Sequence, residues 1–267
     1  MALLRTISHN AHFVQLSSWW MLIKIKITMK YKIFCLCLCA FYLEAGSQTT
    51  THAWGSVFMN GPYKKSWGLH LDAQVRSAEQ SRSVKSWLIR AGLQRKLNTR
   101  HSLALGYAYV WTQTIAAGFR SHQPEHRIWQ QWLYQHPLLG STLQHRFRLE
   151  ERFIGNGQIT EGSGIAAPAL YSTRLRYFNR LLLPVGTSKP FEQGPFVALQ
   201  NEVFLNVTGK SKLNGYIYDQ NRLYIAGGYR VNRRLDVEMG YMRRHLRLRS
   251  TNSHQHIWQI VTYLRPD

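Results

Sequence analysis

The nine residues His145–Phe153 read HRFRLEERF and place charged and apolar side chains at alternate positions. The charged residues are Arg146, Arg148, Glu150 and Arg152. The apolar residues are Phe147, Leu149 and Phe153. Successive side chains of a β-strand point to opposite faces, so a strand here has one charged face and one apolar face. Such a strand suits a protein with a polar interior and an apolar exterior.

Period-two alternation recurs after residue 50, and helical periodicity is almost absent there. We count eleven candidate strands, many near the 9–11 residues that a tilted strand needs to cross a bilayer. They are 54–59, 67–76, 87–94, 103–111, 125–135, 142–153, 171–182, 196–206, 220–229, 235–242 and 255–264. Because bacterial membrane barrels favour even strand numbers, we expect ten or twelve strands.

The segments between these strands are predicted to alternate in length. Tight turns are expected at 98–99, 139–140 and 232–233. Long connections rich in Gly, Pro or Ser are expected at 155–169, 184–194 and 209–216. Short turns at one rim and long loops at the other are typical of an outer-membrane barrel.

A soluble β-sandwich also alternates, but two features argue against it. Several strands have a heavily charged face, which the core of a sandwich would not accept. Aromatic residues also cluster near strand ends on the predicted outer faces, as in interfacial girdles. These are Trp67, Trp87, Trp111, Trp132, Tyr134, Tyr177, Tyr229, Tyr241 and Tyr263. The predicted fold class is all-β, an antiparallel transmembrane β-barrel of about 10–12 strands after a cleaved signal peptide.

Residues 1–47 predict export. A basic start at 29–32, an apolar run at 33–43 and small residues at 45–47 have the order of a secretory signal. Residues 1–28 have no place in that signal, so we expect translation to begin at Met29. The apolar run is shorter than the roughly 20 residues of a spanning helix. We therefore predict an N-terminal extension and signal at 1–47, and a barrel domain at 48–267 in the outer membrane of a Gram-negative bacterium.

Charge and cysteine content limit the partners. Lys and Arg total 34 against 13 acids, and loss of residues 1–47 would leave a net charge of +17. A basic bias suggests nucleic acid, an anionic membrane surface or an acidic ligand, and export argues against nucleic acid. Cys35, Cys37 and Cys39 lie in the apolar run, without the second ligand pair of a zinc site. We expect no metal and no cofactor.

Five short segments, in their order and spacing, carry a resemblance to a known family. They are 125–127 (EHR), 148–153 (RLEERF), 174–177 (RLRY), 219–223 (DQNRL) and 240–242 (GYM). Together they resemble the DUF2490 family over residues 54–264. That family comprises uncharacterised proteins of Bacteroidetes-type bacteria that look like outer-membrane β-barrels. The resemblance implies an outer-membrane barrel and brings no established activity.

In such a barrel, the charged faces of neighbouring strands meet in the lumen. The predicted lumen charge network is Glu125, Arg127, Arg146, Arg148, Glu150, Arg152, Arg174, Arg176, Glu202 and Arg222. One interpretation is a plug of ion pairs that fills a narrow lumen. The other is a polar conduit whose excess arginine attracts anions. The sequence leaves both open.

The sequence favours a non-enzymatic role, in passive transport of small solutes, with anions as one candidate class, or in envelope maintenance. The alternative is a lipid- or lipopolysaccharide-modifying enzyme, with Ser253, His254 and either Asp236 or Glu238 as a triad. His254 and His256 make a poor metal pair, because no further ligand is identifiable. These residues are isolated ones beside a presumed loop, and a triad is defined by geometry.

The expected partners follow from the predicted location. Basic residues at the rims, such as Lys64, Lys65, Arg243 and Arg244, suit the phosphates of lipopolysaccharide, although simple solvation explains them equally well. Outer-membrane lipids and the barrel-assembly machinery are the other expected partners. The sequence does not indicate an oligomeric state.

Overall fold

A computed structural model describes residues 48–79, 83–116, 119–155, 169–186 and 190–266. The predicted N-terminal extension and signal peptide lie outside the described residues, so the boundary at residue 47 stays a prediction. In the part of the chain that the structure describes, no helix has the length and apolar character needed to cross a membrane.

The described chain is built from eleven β-strands, and each candidate strand lies within one of them. They are β1 (Gln48–Lys64), β2 (Trp67–Ser77), β3 (Val84–Lys96), β4 (His101–Ala116), β5 (Phe119–Leu138), β6 (Ser141–Ile154), β7 (Leu170–Pro184), β8 (Gly194–Asn206), β9 (Tyr218–Asn232), β10 (Leu235–Arg247) and β11 (Asn252–Leu264). A short 3-10 turn, Lys210–Lys212, lies between β8 and β9. Most strands extend beyond the predicted limits at one or both ends.

The strands form one closed barrel in which each pairs with its sequence neighbours and β1 pairs with β11. The pairs are antiparallel except for β1 with β11, which is parallel and sets Gln48 opposite Ser253 and Met59 opposite Leu264. The predicted barrel is confirmed, but the expected even strand number is wrong. A meander of eleven strands ends in the direction in which it began, so its closing pair is parallel. Parallel hydrogen bonding permits that closure.

A pair of cysteines tests the parallel closure. Val57 lies opposite Thr262 on the outer side, and the cysteines of the chain all precede residue 40. Val57→Cys with Thr262→Cys should therefore oxidise to a disulfide, because neighbouring strands bring Cα atoms within bonding range. Val57→Cys with His256→Cys, six residues away along β11, should stay reduced. Cross-linking of the second pair instead of the first, seen by gel mobility, would show a different closure.

The two rims of the barrel have different connections. The turn rim carries the connections 65–66, 97–100, 139–140 and 233–234, together with the end of β7 and the start of β8. The loop rim carries the connections 207–217 and 248–251, together with the facing ends of β2 and β3, of β4 and β5, and of β6 and β7. Of the three predicted long loops, 209–216 thus lies at the loop rim, whereas most of 155–169 lies outside the described residues. The described ends of the third, 184–194, lie at the turn rim with the tight turns, because β7 ends beside the start of β6, where Leu182 pairs with Thr142.

The outer surface is apolar and the lumen is polar over much of its height. Ile89, Leu105 and Trp258 face outward and are 63%, 58% and 52% exposed. In the opening segment, Arg148 and Glu150 point into the lumen with 0% exposure, whereas Phe147 and Phe153 face outward. The lumen also has an apolar wall, a cluster of Trp54, Phe196, Ala198, Tyr224, Ala226, Met242 and Ile257.

The predicted aromatic girdle is wrong at Tyr263. Trp67, Trp87, Trp132 and Tyr229 are exposed on the outer face. Tyr263 instead points inward, where its hydroxyl donates to Glu238 at 3.2 Å and accepts from Arg180 at 2.9 Å. It lies an even number of residues along β11 from buried Ile257, Gln259 and Val261, so it faces the same side of the sheet. The alternation along β11 therefore places this aromatic side chain in the lumen, although it lies near a strand end.

Candidate functional site

Glu150 occupies the centre of the lumen and is surrounded by arginines. Its carboxylate accepts hydrogen bonds from Arg174 Nη2 at 2.7 Å and Arg176 Nη1 at 2.5 Å. Arg90 and Arg127 lie farther away, at 3.8 Å and 3.9 Å. Three strands, β3, β5 and β7, thus direct four cations at one fully buried acid, which stabilises the acid and crosslinks the barrel wall.

Glu202 forms a second centre beside the first. Its Oε1 accepts from Arg146 Nη2 at 2.8 Å and from Arg176 Nη2 at 2.7 Å. Arg222 approaches the same carboxylate only to 3.8 Å. Since Arg176 bonds to both acids, the two centres form one continuous network.

The remaining predicted network residues also lie inside the barrel. Glu125 accepts from both Arg127, with Nε at 2.8 Å, and Arg152, with Nε at 2.5 Å. Arg148 has no ion pair among the described residues; it donates to Gln131 at 3.0 Å and covers the indole of Trp129 at 4.7 Å. The ten predicted residues therefore meet in the lumen, but Arg148 is held by an amide and an aromatic ring.

Several lumen ion pairs were missed from the sequence. Arg90 bonds to Asp72. Arg180 bonds to Glu238 with Nη2 at 2.7 Å, and Asp236 accepts from Arg230 at 2.8 Å. Asp72 and Arg90 stand on the polar face of their strands, so alternation alone would have placed them in the lumen. Arg180 and Glu238 are far apart in sequence, and no local pattern indicates that they meet.

Trp129 fills the lumen beside the network. It is fully buried, packs edge-on against His70 at 5.3 Å between ring centroids, and lies against Ala104 and Ala108. A Cβ added at Gly92 would come within 2.5 Å of the indole. The small residues of β3 and β4 therefore leave the space that this ring takes.

A cavity of about 1350 Å³ occupies the lumen on the turn-rim side of the network. Its wall carries eleven cationic side chains and two carboxylates, Glu202 and Asp236. The cations are Arg76, Arg90, Lys96, Arg100, Arg146, Arg176, Arg180, Arg222, Arg230, Arg233 and Arg265. Arg90, Arg180 and Arg233 pair with acids outside this wall, which are Asp72, Glu238 and Glu192. The cations still outnumber all of these acids, and such an excess of positive charge favours anions.

The residues considered for a catalytic triad are not brought together. Asp236 and Glu238 lie in the lumen near the turn rim and bind arginines. Ser253 and His254 lie at the other end of β11, near the loop rim, where the ring of His254 packs at a tilt against that of His245, with 4.7 Å between ring centroids. Ser253 and His254 are adjacent in a strand, so they point to opposite faces.

Comparisons with known proteins place the chain in a family. The family model described as "Protein of unknown function (DUF2490)" matches residues 51–255. No curated protein matches the chain at a significant level. Among solved structures, the siderophore receptor PirA from Pseudomonas aeruginosa matches with 12% identity and a TM-score of 0.27, over 74% of this chain and 34% of the receptor. The chain thus spans about a third of that receptor. Because the family model covers nearly the whole barrel, the chain belongs to the DUF2490 family.

Proposed function

We propose that this protein is an outer-membrane β-barrel that binds small anions in its lumen and lets them pass when the central ion pairs separate. The outer surface supports the membrane location. Side chains such as Ile89, Leu105 and Ile260 are more than half exposed around a closed barrel, a larger apolar surface than soluble monomers present. Short turns face the periplasm in such barrels, so the cavity opens toward the periplasm.

The composition of the cavity wall is the observation that carries the anion preference. Eleven cations face a 1350 Å³ space together with two carboxylates, and both carboxylates are already bonded to arginines. Arg76, Lys96 and Arg100 form no ion pair with the described residues, so an anion entering from the turn rim would gain these counter-charges without displacing a carboxylate. The arginine fork also suits carboxylate and phosphate oxygens.

The buried network supports a barrel that is closed at rest. Arg148, Glu150 and Trp129 have no exposed surface, so the middle of the lumen is packed. The two interpretations of the charged face therefore apply at different depths, a plug in the middle and an anion-attracting vestibule at the turn rim. Passage needs the side chains around Glu150 to move apart.

This proposal is for a non-enzymatic protein. A lipid-modifying enzyme would need its hydroxyl, imidazole and acid at one membrane edge. Ser253 and His254 do not meet Asp236 or Glu238, which supports binding and passage over catalysis. Envelope maintenance has no specific observation in its favour. Outer-membrane lipids and lipopolysaccharide would surround the barrel, and the barrel-assembly machinery would insert it.

Conductance in planar bilayers tests the proposal after recovery of the barrel from outer-membrane fractions. We expect infrequent small openings that prefer anions, measured by the reversal potential in a salt gradient. Arg100→Glu, at the cavity mouth, should reduce that preference, because it reverses a charge in the conduction path. Arg95→Glu, on the outer face of β3, should not. Cation-selective openings, or a soluble periplasmic monomer obtained without detergent, would reject the proposal.

A further inference from the structure

Two cavity arginines lack adequate counter-charges. The guanidinium groups of Arg76 and Arg222 both lie over the indole of Trp54, at 4.6 Å and 5.2 Å from the ring centroid. Arg76 donates to the amide oxygen of Gln74 at 2.7 Å and forms no ion pair with the described residues. Arg222 is 3.8 Å from Glu202, whose carboxylate already bonds to Arg146 and Arg176. Two cations therefore share one aromatic ring with little negative charge nearby.

The same two arginines have unused hydrogen-bond donors. The Nε atoms of Arg76 and Arg222 are buried and have no hydrogen-bond partner within the described strands. A buried donor without an acceptor costs free energy, and a buried cation costs more unless it is paired. An oxyanion between these groups would supply both acceptors and charge, as guanidinium forks do with phosphate and carboxylate.

An apolar wall lies beside this pair of arginines. Trp54, Tyr224 and Met242 line the cavity and belong to the buried apolar cluster of the lumen. They come from β1, β9 and β10; Arg222 also lies on β9, and Arg76 lies on β2 next to β1. An inorganic anion would use the arginines and leave this wall facing water.

The size of the cavity also exceeds the need of an inorganic anion. Binding sites for small organic molecules usually enclose about 300–1,000 Å³, and this cavity has about 1350 Å³. It therefore has room for a ligand that covers the apolar wall while its charged end reaches Arg76 and Arg222.

We propose that the cavity binds an amphipathic organic anion. Its phosphate or carboxylate head lies between Arg76 and Arg222, and its alkyl or aryl part packs on Trp54, Tyr224 and Met242. This inference rests on the proposed anion-binding function, because it names the ligand class of the same cavity. Burial of the apolar part adds affinity in proportion to the area removed from water.

Titration calorimetry of the full barrel in an uncharged detergent tests the inference with three probes. Hexyl phosphate carries both parts, inorganic phosphate carries the head alone, and 1-hexanol carries the tail alone. We expect hexyl phosphate to bind at least tenfold more tightly than inorganic phosphate, and 1-hexanol to bind more weakly than either.

Three variants separate the two halves of the site. Arg76→Gln should weaken binding of both phosphates at least tenfold, because it removes one guanidinium fork. Met242→Gln, of similar size, should weaken binding of hexyl phosphate and leave inorganic phosphate unchanged. Arg95→Gln removes the same charge from the outer face and should change neither.

The ligand-free stability of Arg76→Gln distinguishes a binding arginine from a structural one. Removing one of two poorly compensated cations should leave the melting temperature equal to or above that of the wild type. Loss of stability would assign Arg76 a structural role and overturn the head-group site. Arg76→Lys, which keeps the charge without the fork, should bind phosphate with intermediate affinity; affinity equal to that of the wild type would also overturn it.

The remaining outcomes separate this inference from the function on which it rests. If the wild type binds neither phosphate, anion binding itself is wrong. If both phosphates bind equally and Met242→Gln changes neither, anion binding stands and the amphipathic ligand is rejected. If 1-hexanol binds as tightly as hexyl phosphate, the apolar wall acts without the arginines and the inference is overturned.

Discussion

Replacing Glu150 by alanine should lower the free energy of unfolding by about 3–5 kcal/mol, because it leaves buried arginines without their shared acid. Arg174 and Arg176 bond directly to that carboxylate, and Arg90 and Arg127 lie within 4 Å of it. All of these groups lie in the lumen, where solvent screening is weak. Urea unfolding in lipid vesicles, followed by tryptophan fluorescence, measures the loss.

Two further variants make the Glu150 measurement specific. Glu150→Gln keeps the volume and removes the charge, so it should also destabilise the barrel if charge, and not packing, is the cause. Glu192→Ala removes a carboxylate from an exposed pair with Arg233 at the turn rim. Exposed pairs contribute about 0–1 kcal/mol, so the free energy of unfolding of this control should be close to that of the wild type. Equal losses for Glu150→Ala and Glu192→Ala would mean that the central network contributes no special stability.

The alternation in HRFRLEERF was enough to assign the faces of β6. It gives each side chain one of two directions, and Arg148 and Phe147 follow it. A slip of one residue would have reversed every assignment, so the apolar side is well determined where the outer face is uniformly apolar. At the end of β11 both faces carry large side chains, and this is where the assignment of Tyr263 failed.

Contacts across the lumen could not be predicted from local patterns. Arg180 and Glu238 stand on β7 and β10, and their meeting depends on how the sheet curves and staggers on closure. The same is true of Arg76 and Arg222, which reach Trp54 from β2 and β9. The alternation of inward and outward positions identifies the lumen residues. The cavity and its apolar wall can be recognised only in the closed barrel.

The way in which the barrel closes also could not be predicted from the sequence pattern. The alternation located eleven strands, yet the tendency of bacterial barrels toward even numbers favoured ten or twelve. Strand count fixes whether the first and last strands run parallel, but side-chain alternation looks the same in either case. Only the pairing of Gln48 with Ser253, continuing to Met59 with Leu264, shows that the closing pair is parallel and not antiparallel.

Trp129 shows that an apolar residue on the polar face can be structural. It lies two residues from both Arg127 and Gln131, so it faces the lumen as they do. If inward positions are expected to be polar, Trp129 is an exception. In the barrel it fills the space left by Gly92 and Gly106, and Arg148 lies on its ring. Its indole and the Glu150 network together close the middle of the lumen.

Trp129→Ala should therefore lower the free energy of unfolding by about 3–5 kcal/mol, the usual cost of emptying a packed aromatic site. It should also raise the frequency of openings in planar bilayers, because the space vacated by the ring lies inside the lumen. Trp132→Ala is the matched control: it lies three residues along β5, faces outward and is 41% exposed. The control should cost clearly less stability and leave the openings unchanged. If both variants lose equal stability and neither changes conductance, the indole of Trp129 is not part of the barrier in the lumen.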